Sequence, residues 1–300
     1  MPAVPDQVAG GAGPGGRAAA GLETPSGKDA AYENFPVGSW LLPKALRPHV
    51  ATFYAFARAI DDIADNPELG SSEKIARLEA FERGVLGEAG PGACVAKAEA
   101  MRASLAATGV PARHCLDLIA AFKQDAVKSR YADWEDLMGY CVKSASPVGR
   151  YLLDLHDGSS HGYGPSDALC NALQVINHLQ DCGDDYRSLD RVYLPGDWLA
   201  AERARVEDLA AMSLTPGLRR VLDRCLDGVD ALLIEARRLP AGLASRRLAM
   251  ESAVIIDIAA TLSAKLRRED PLAHRVALSK PAFLCCGVRG IGLGIIRRNR

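Results

Sequence analysis

Two groups of polar residues at helical spacing carry most of the chemistry this sequence offers. The first is Tyr54, Arg58, Asp61, Asp62 and Asp65; the second is Gln174, Asn177, Asp181, Asp184 and Asp185. At 100° per residue, positions 54, 58, 61 and 65 share an arc of roughly 60°, with Asp62 at its edge. Positions 174, 177, 181 and 185 share roughly 80°, and Asp184 points further round. Like charges four residues apart repel by about 0.3 kcal/mol per pair in an exposed helix, and burying them costs far more. Two such pairs, each inside an otherwise apolar helix, ask for a counter-charge. Carboxylate oxygens match Mg²⁺, which keeps several waters, takes one or two carboxylates and bridges to substrate phosphates. The competing reading is a solvated acidic face, which suits one lone motif better than a matched pair.

The elements that must position these groups are helical. Stretches 48–65, 73–87, 92–107, 112–129, 133–156, 166–188, 204–213, 217–238 and 244–267 are rich in Ala, Leu, Glu, Arg and Lys, with apolar residues recurring at three and four. Pro48 is placed to start the first acidic helix and Pro67 to stop it, and Ser166 to cap the start of the second. Gly90-Pro91, Pro111, Gly164-Pro165 and Pro240 punctuate the joints. One short strand candidate, Val192-Tyr193-Leu194, stops at Pro195. The expected fold class is all-α, a single helical domain over 31–285.

Residues 1–30 hold seven Gly, seven Ala and four Pro. Such a segment buries too little apolar surface to offset its ordering entropy and reads as a disordered tail. Its Gly11-Ala-Gly13-Pro-Gly15-Gly16 matches GxGxxG in form only, because no strand precedes it and a proline sits inside it. Residues 286–300 form an apolar then basic C-terminal tail, too short and Gly-rich for a membrane span but able to lie on a surface.

Composition narrows the classes further. Lys and Arg number 36 against 37 Asp and Glu, a net charge of −1, so no basic excess points to nucleic acid. Eight cysteines contain no CxxC, which argues against zinc; with no charged start followed by an apolar stretch to read as a secretory signal, the thiols are expected to be reduced and mostly buried in a cytoplasmic protein, with peripheral contact at the inner membrane face allowed. Gly158-Ser-Ser160-His-Gly162 matches GxSxG, but that motif needs a strand before it and a helical stretch stands there instead. A serine hydrolase is therefore disfavoured.

Residues 54–65 read Tyr-x-x-x-Arg-x-x-Asp-Asp-x-x-Asp, and 174–185 read Gln-x-x-Asn-x-x-x-Asp-x-x-x-Asp, followed by Arg191-Val-Tyr193-Leu-Pro195. Between them stands Tyr140-Cys-Val-Lys-Ser-Ala-Ser-Pro-Val148-Gly149. In order and separation these segments resemble the squalene/phytoene synthase family, from about residue 33 to about 283. Glu33-Asn-Phe-Pro-Val-Gly-Ser-Trp40-Leu-Leu-Pro43 and Gln174–Cys182 further resemble the hopanoid-pathway branch of that family.

The resemblance implies an isoprenoid-synthase-type helical bundle around a central active-site cavity, with the acidic motifs facing each other across its mouth. It implies a prenyl diphosphate substrate and Mg²⁺ held by Asp61, Asp65, Asp181 and Asp185, with Asp62 in a lesser part and Asn177 as a ligand or a partner of one. Arg58, Arg191, Arg275, Tyr54 and Tyr193 become expected diphosphate contacts, with Tyr140 and Gln174 at the same site. Ala145, Val148, Gly149, Leu173 and Ile176 become the expected apolar wall around a carbocation. The branch implies presqualene diphosphate and water as reactants, hydroxysqualene and diphosphate as products, and no nicotinamide. His49 and His178 are further candidates for handling water or a proton. Two rivals remain: a condensing synthase joining two prenyl diphosphates, and a non-catalytic assembly factor of the same fold. Neighbouring pathway enzymes are possible partners.

Overall fold

The structure, a computed structural model, describes residues 42–90, 95–156, 162–279, 281–283 and 286. The Gly/Ala/Pro tail with its GxGxxG match, most of 33–43, the Gly158–His161 part of the GxSxG match and nearly all of 286–300 lie outside these residues.

The first acidic helix, α1 (Arg47–Asp65), has Pro48 in its first turn and ends before Pro67. Proline is tolerated at the start because its missing N–H has no helical partner there anyway. Its inner face is Val50, Phe53, Phe56, Ala59, Ile60 and Ile63. Phe56, Ile60 and Ile63 are fully buried, each contributing about 2 kcal/mol of apolar transfer. Helices α2 (Ser71–Leu86) and α3 (Ala96–Thr108) end in Gly87 and Gly109, whose φ of 77° and 73° is the left-handed conformation that glycine adopts without penalty. Then follow α4 (Arg113–Asp125), α5 (Trp134–Ser144), α6 (Ser146–Leu155), α7 (Tyr163–Gln180) and α8 (Cys182–Leu189). The chain closes with α9 (Gly196–Ala201), a 3₁₀ turn at Val206–Ala210, α10 (Pro216–Ala236), the short α11 (Leu239–Gly242) and α12 (Arg246–Leu266). The most extensive helix pairing joins α10 to α7, whose buried residues include Leu218, Leu222 and Val229 on one helix and Ala172 and Ile176 on the other.

The all-α reading holds, with instructive differences. The stretch 133–156 divides at Ala145, because Pro147 in the first turn of α6 cannot donate the hydrogen bond that would continue α5. The stretch 166–188 divides at Asp181, which ends α7 and begins α8. Ser166 does not cap α7. That helix starts one turn earlier, with Gly162 at the cap position, and Ser166 is buried against α6. Of 204–213 only the 3₁₀ turn forms. The expected strand exists as β2 (Val192–Pro195) and pairs in parallel with a two-residue β1 (Arg130–Tyr131) that the pattern did not reveal.

The thiols of Cys115, Cys141, Cys170, Cys182, Cys225 and Cys286 are free, and burial pushes that of Cys115 up to about 12. Among the described residues no helix is long and apolar enough to cross a membrane.

Candidate active site

A cavity of about 260 Å³ lies among α1, α4, α5, α6, α7 and α12. Much of its wall is apolar, with Phe53, Leu118, Phe122, Leu152, Leu169, Leu173 and Ile255 contributing. The polar lining comes largely from the two acidic helices: Tyr54, Arg58 and Asp61 on α1, Gln174 and Asn177 on α7. Along α1, Val50 and Phe53 line the cavity before Arg58 and Asp61; along α7, Leu169 and Leu173 line it before Gln174 and Asn177. The lining thus runs from apolar to polar over about 16 Å of axis on α1 and about 12 Å on α7. Beyond the last lining residue of each lie the remaining motif carboxylates, Asp65 on α1 and Asp181 and Asp185 at the α7–α8 junction.

The junction keeps the motif in register. Asp181 N–H donates to Asn177 O at 3.0 Å and Asp185 N–H to Asp181 O at 2.8 Å. The four-residue ladder therefore continues through the break, and Asn177, Asp181 and Asp185 stay stacked along one line. Asp181 is exposed and Asp185 half-buried.

The carboxylates of α1 are held by guanidinium groups. Arg58 reaches Asp61 at 3.1 Å and Asp62 at 2.9 Å. Arg191, six residues past Asp185, donates to Asp65 Oδ1 at 2.6 Å and to Ala64 O at 2.7 Å. Lys74 Nζ reaches the same Ala64 carbonyl at 2.7 Å. These bonds tie the C-terminal end of α1 to the segment after α8, so both motifs meet at one end of the cavity. Burial lowers the Lys74 amine, and the charge of Arg191 lowers it further, against Asp65 and Asp125.

Behind this end lies a buried network. Asp125, at the end of α4, accepts hydrogen bonds from the Tyr140 hydroxyl and, at 3.3 Å, from the Tyr193 hydroxyl. Burial pushes its carboxyl up to about 6, against the opposing pull of Arg191 and the two phenols. Tyr193 stacks on His178 with ring centroids 3.6 Å apart. Burial, then Arg191, pulls the His178 imidazole down to about 3, so it is neutral. Gln174 Nε2 sits 3.2 Å from His178 Nε2; an amide nitrogen only donates, so that ring nitrogen accepts. Burial and Asp125 raise the Tyr140 phenol, and burial, Asp125 and the nearby Asp185 raise that of Tyr193. Burial opposes the charge on Arg191, but Tyr193, Asp125 and Asp65 outweigh it.

The expected residues thus fall into two sets. The cavity brings together Tyr54, Arg58, Asp61, Ala145, Val148, Gly149, Leu173, Gln174 and Asn177. Tyr140, Tyr193 and Arg191 are not part of its lining; each is buried and bonded to Asp125 or Asp65, because a buried polar group must find its partner inside the protein. Asp62 is likewise buried against Arg58. Ile176 packs in the core between helices rather than in the wall. Arg275 lies exposed on the segment after α12. Neither His49, 2.7 Å from Ser104, nor His178 lines the cavity. Sequence reasoning missed Asp125 and Lys74, which carry no periodic signal, and Glu251 and Ser252 of α12, which line the cavity from a helix with no acidic motif.

A metal ion fits the chemistry of this end. Its donors are carboxylate and amide oxygens, the set a hard cation prefers. Among the described residues no three His, Cys, Asp or Glu side chains converge into a ready-made cage. Mg²⁺ does not need one, since it is bound through one or two carboxylates plus substrate phosphates.

Comparison with known proteins follows the same lines. The family model for squalene/phytoene synthase matches residues 29–282. A hydroxysqualene synthase from Rhodopseudomonas palustris is 42% identical over 277 residues, covering 92% of this chain and 94% of that protein. The crystal structure of squalene synthase HpnC from Alicyclobacillus acidocaldarius superposes with a TM-score of 0.67 at 36% identity, over 79% of this chain and 89% of that one. A dehydrosqualene synthase crystallised with a ligand shares the fold, with a TM-score of 0.71 at 20% identity over 87% and 91% of the two chains.

Proposed function

The chain belongs to the squalene/phytoene synthase family and is a prenyl diphosphate-processing synthase, and from that premise we propose that it converts presqualene diphosphate and water to hydroxysqualene and diphosphate. The observation that carries this reading is the cavity itself, acidic at one end and apolar along its length. It joins a full-length likeness to hydroxysqualene synthases.

Asp61, Asp65, Asp181 and Asp185, with Asn177 beside them, would hold Mg²⁺. Bound there, the ion supplies the positive charge that makes diphosphate a leaving group. Arg58 sets the position of Asp61, and Arg191 that of Asp65, so the carboxylates face the ligand in fixed geometry. Tyr54 and Gln174 line the same cavity. Once diphosphate departs, the remaining carbocation lies against Phe53, Phe122, Leu152 and Leu173, which exclude bulk water and delay capture.

The test is direct. The full chain is incubated with Mg²⁺ and presqualene diphosphate, without nicotinamide, and the extract is analysed by gas chromatography–mass spectrometry. Hydroxysqualene that disappears with EDTA is the expected product. A parallel reaction holds farnesyl diphosphate alone; presqualene diphosphate or a longer homologue from that tube, with none from the first, assigns a condensing synthase instead.

A further inference from the structure

The motif carboxylates gather at one end of the bundle, and a run of cations stands away from them. The turn that joins α10 to α12 holds Arg237, Arg238, Arg246 and Arg247 against one acid, Glu235. Four positive charges less one leave +3 over residues 234–247, in a chain whose net charge is −1. We propose that this turn is a docking surface for an anionic lipid bilayer.

Its place follows from the contacts of α12. Arg219, near the start of α10, donates to Leu266 O at the end of α12 at 2.8 Å. Past α12, Val276 O accepts from Gln180 Nε2, and a Cβ on Gly183 would stand 2.7 Å from Leu272 Cδ2. The end of α12 therefore lies beside the α7–α8 junction, with the motif carboxylates. Its start is about 30 Å of helix axis away. There Arg247 directly precedes Leu248, a residue of the cavity wall, and α11 packs against α12. All four arginines are exposed.

Helix stability does not account for Arg246 and Arg247. The first turn of a helix carries partial positive charge and disfavours cations. The first turn of α12 holds no acid to offset them. Ser245 already caps the helix by accepting from Leu248 N–H at 3.3 Å, so the arginines add nothing to its start. Arg237 and Arg238 differ, since they stand at a helix C-terminus, where cations are favoured, and Arg238 is paired with Glu235 at 2.9 Å. A cation pair held against the helix field is stabilised by an anion from outside.

The form of the surface points to a bilayer as that anion. The four arginines lie outside the cavity lining and are shared between two helix ends. Ile234, 69% exposed, stands beside them. A broad cationic surface with an apolar side chain suits phosphate headgroups over hydrocarbon. This reading holds whichever prenyl diphosphate the cavity takes.

The test is co-sedimentation of the full chain with vesicles, without substrate. Vesicles of phosphatidylcholine are compared with vesicles that also contain phosphatidylglycerol, at low and at high salt. Binding to the anionic vesicles alone, lost at high salt, is expected. In Arg246→Gln/Arg247→Gln the affinity should fall about thirtyfold, with the thermal midpoint showing a folded protein. Should the double variant fail to fold, each single substitution should give about a fivefold loss. A second variant, Arg297→Gln/Arg298→Gln/Arg300→Gln, removes the basic residues of the C-terminal tail. Binding that survives the first variant and disappears in the second overturns the proposal and assigns the contact to the tail. No binding to anionic vesicles at low salt also overturns it, and retention on polyglutamate would then give the turn to an acidic protein partner. Because no product is measured, failure of the hydroxysqualene reading leaves this test untouched.

Discussion

The acidic end of the cavity and the network behind it use the same side chains to opposite ends. At the cavity, Asp61 and Asp65 are about a quarter to a third exposed and each meets an arginine. Behind it, Asp125 is 7% exposed, and burial outweighs Arg191 and two tyrosines to lift its carboxyl to about 6. The first two stand paired with arginines at the end of the cavity where we propose the ligand binds, while Asp125 spends its hydrogen-bonding capacity on fixing Tyr140 and Tyr193. Carboxylate chemistry here is decided by depth before it is decided by neighbours.

Four substitutions would break or sharpen that contrast. The largest effect is expected from Asp61→Ala. Turnover of presqualene diphosphate should fall about a thousandfold, roughly 4 kcal/mol in barrier. The thermal midpoint should hold or rise, because a like charge beside Asp62 and Asp65 is gone. A variant that loses activity and stability together would make Asp61 a structural residue like Asp125. Next, Arg191→Met leaves Asp65 and Asp125 without their shared cation and should cost about 3 kcal/mol in urea denaturation. A cost under 1 kcal/mol would show that the two regions are not coupled through this side chain.

Third, Asp125 sets a pH dependence whose sign opposes that of a paired surface aspartate. Its folded pKa of about 6 lies above the ordinary 3.8, so between those values the folded state holds the extra proton. Stability therefore falls as pH rises from about 4 to 6, by about 3 kcal/mol, and is flat above. Asp125→Asn should remove that slope in chemical denaturation across the same range; an unchanged slope assigns it to another group. The smallest effect is expected from Gly149→Ala. A Cβ there would meet Ser166 Oγ at 2.3 Å and Cys170 Sγ at 2.7 Å. Forcing α6 from α7 should cost about 1–2 kcal/mol, readable as a lower thermal midpoint with a raised KM.

Much of this was legible in the chain. Two carboxylates at i,i+4 inside an apolar helix are a loud signal, and α1 runs from residue 47 to 65 nearly as its prolines prescribe. The second motif was legible as a face but not as a joint: nothing at Asp181 marks a helix break, and the continuing backbone ladder explains why the face survives it. Asp125 and Glu251 were silent because neither has a second acid three or four residues away in its amphipathic helix. Only the packing of α4 against α5 and of α12 against α7 tells them from surface acids. The partners of Tyr140 and Tyr193 were hidden for the same reason, since their common acceptor is at least 15 residues away in sequence.

The cavity's change from acidic to apolar along α1 and α7 also bears on what happens after the chemistry. A substrate is anchored at one end by charge and along its length by burial. Its product keeps only the second hold, and each methylene still in the wall is worth about 0.8 kcal/mol against release into water. If the proposed reaction runs in this cavity, departure of the product into buffer is the step expected to be slow, and steady-state turnover measured with and without added detergent should be higher with it.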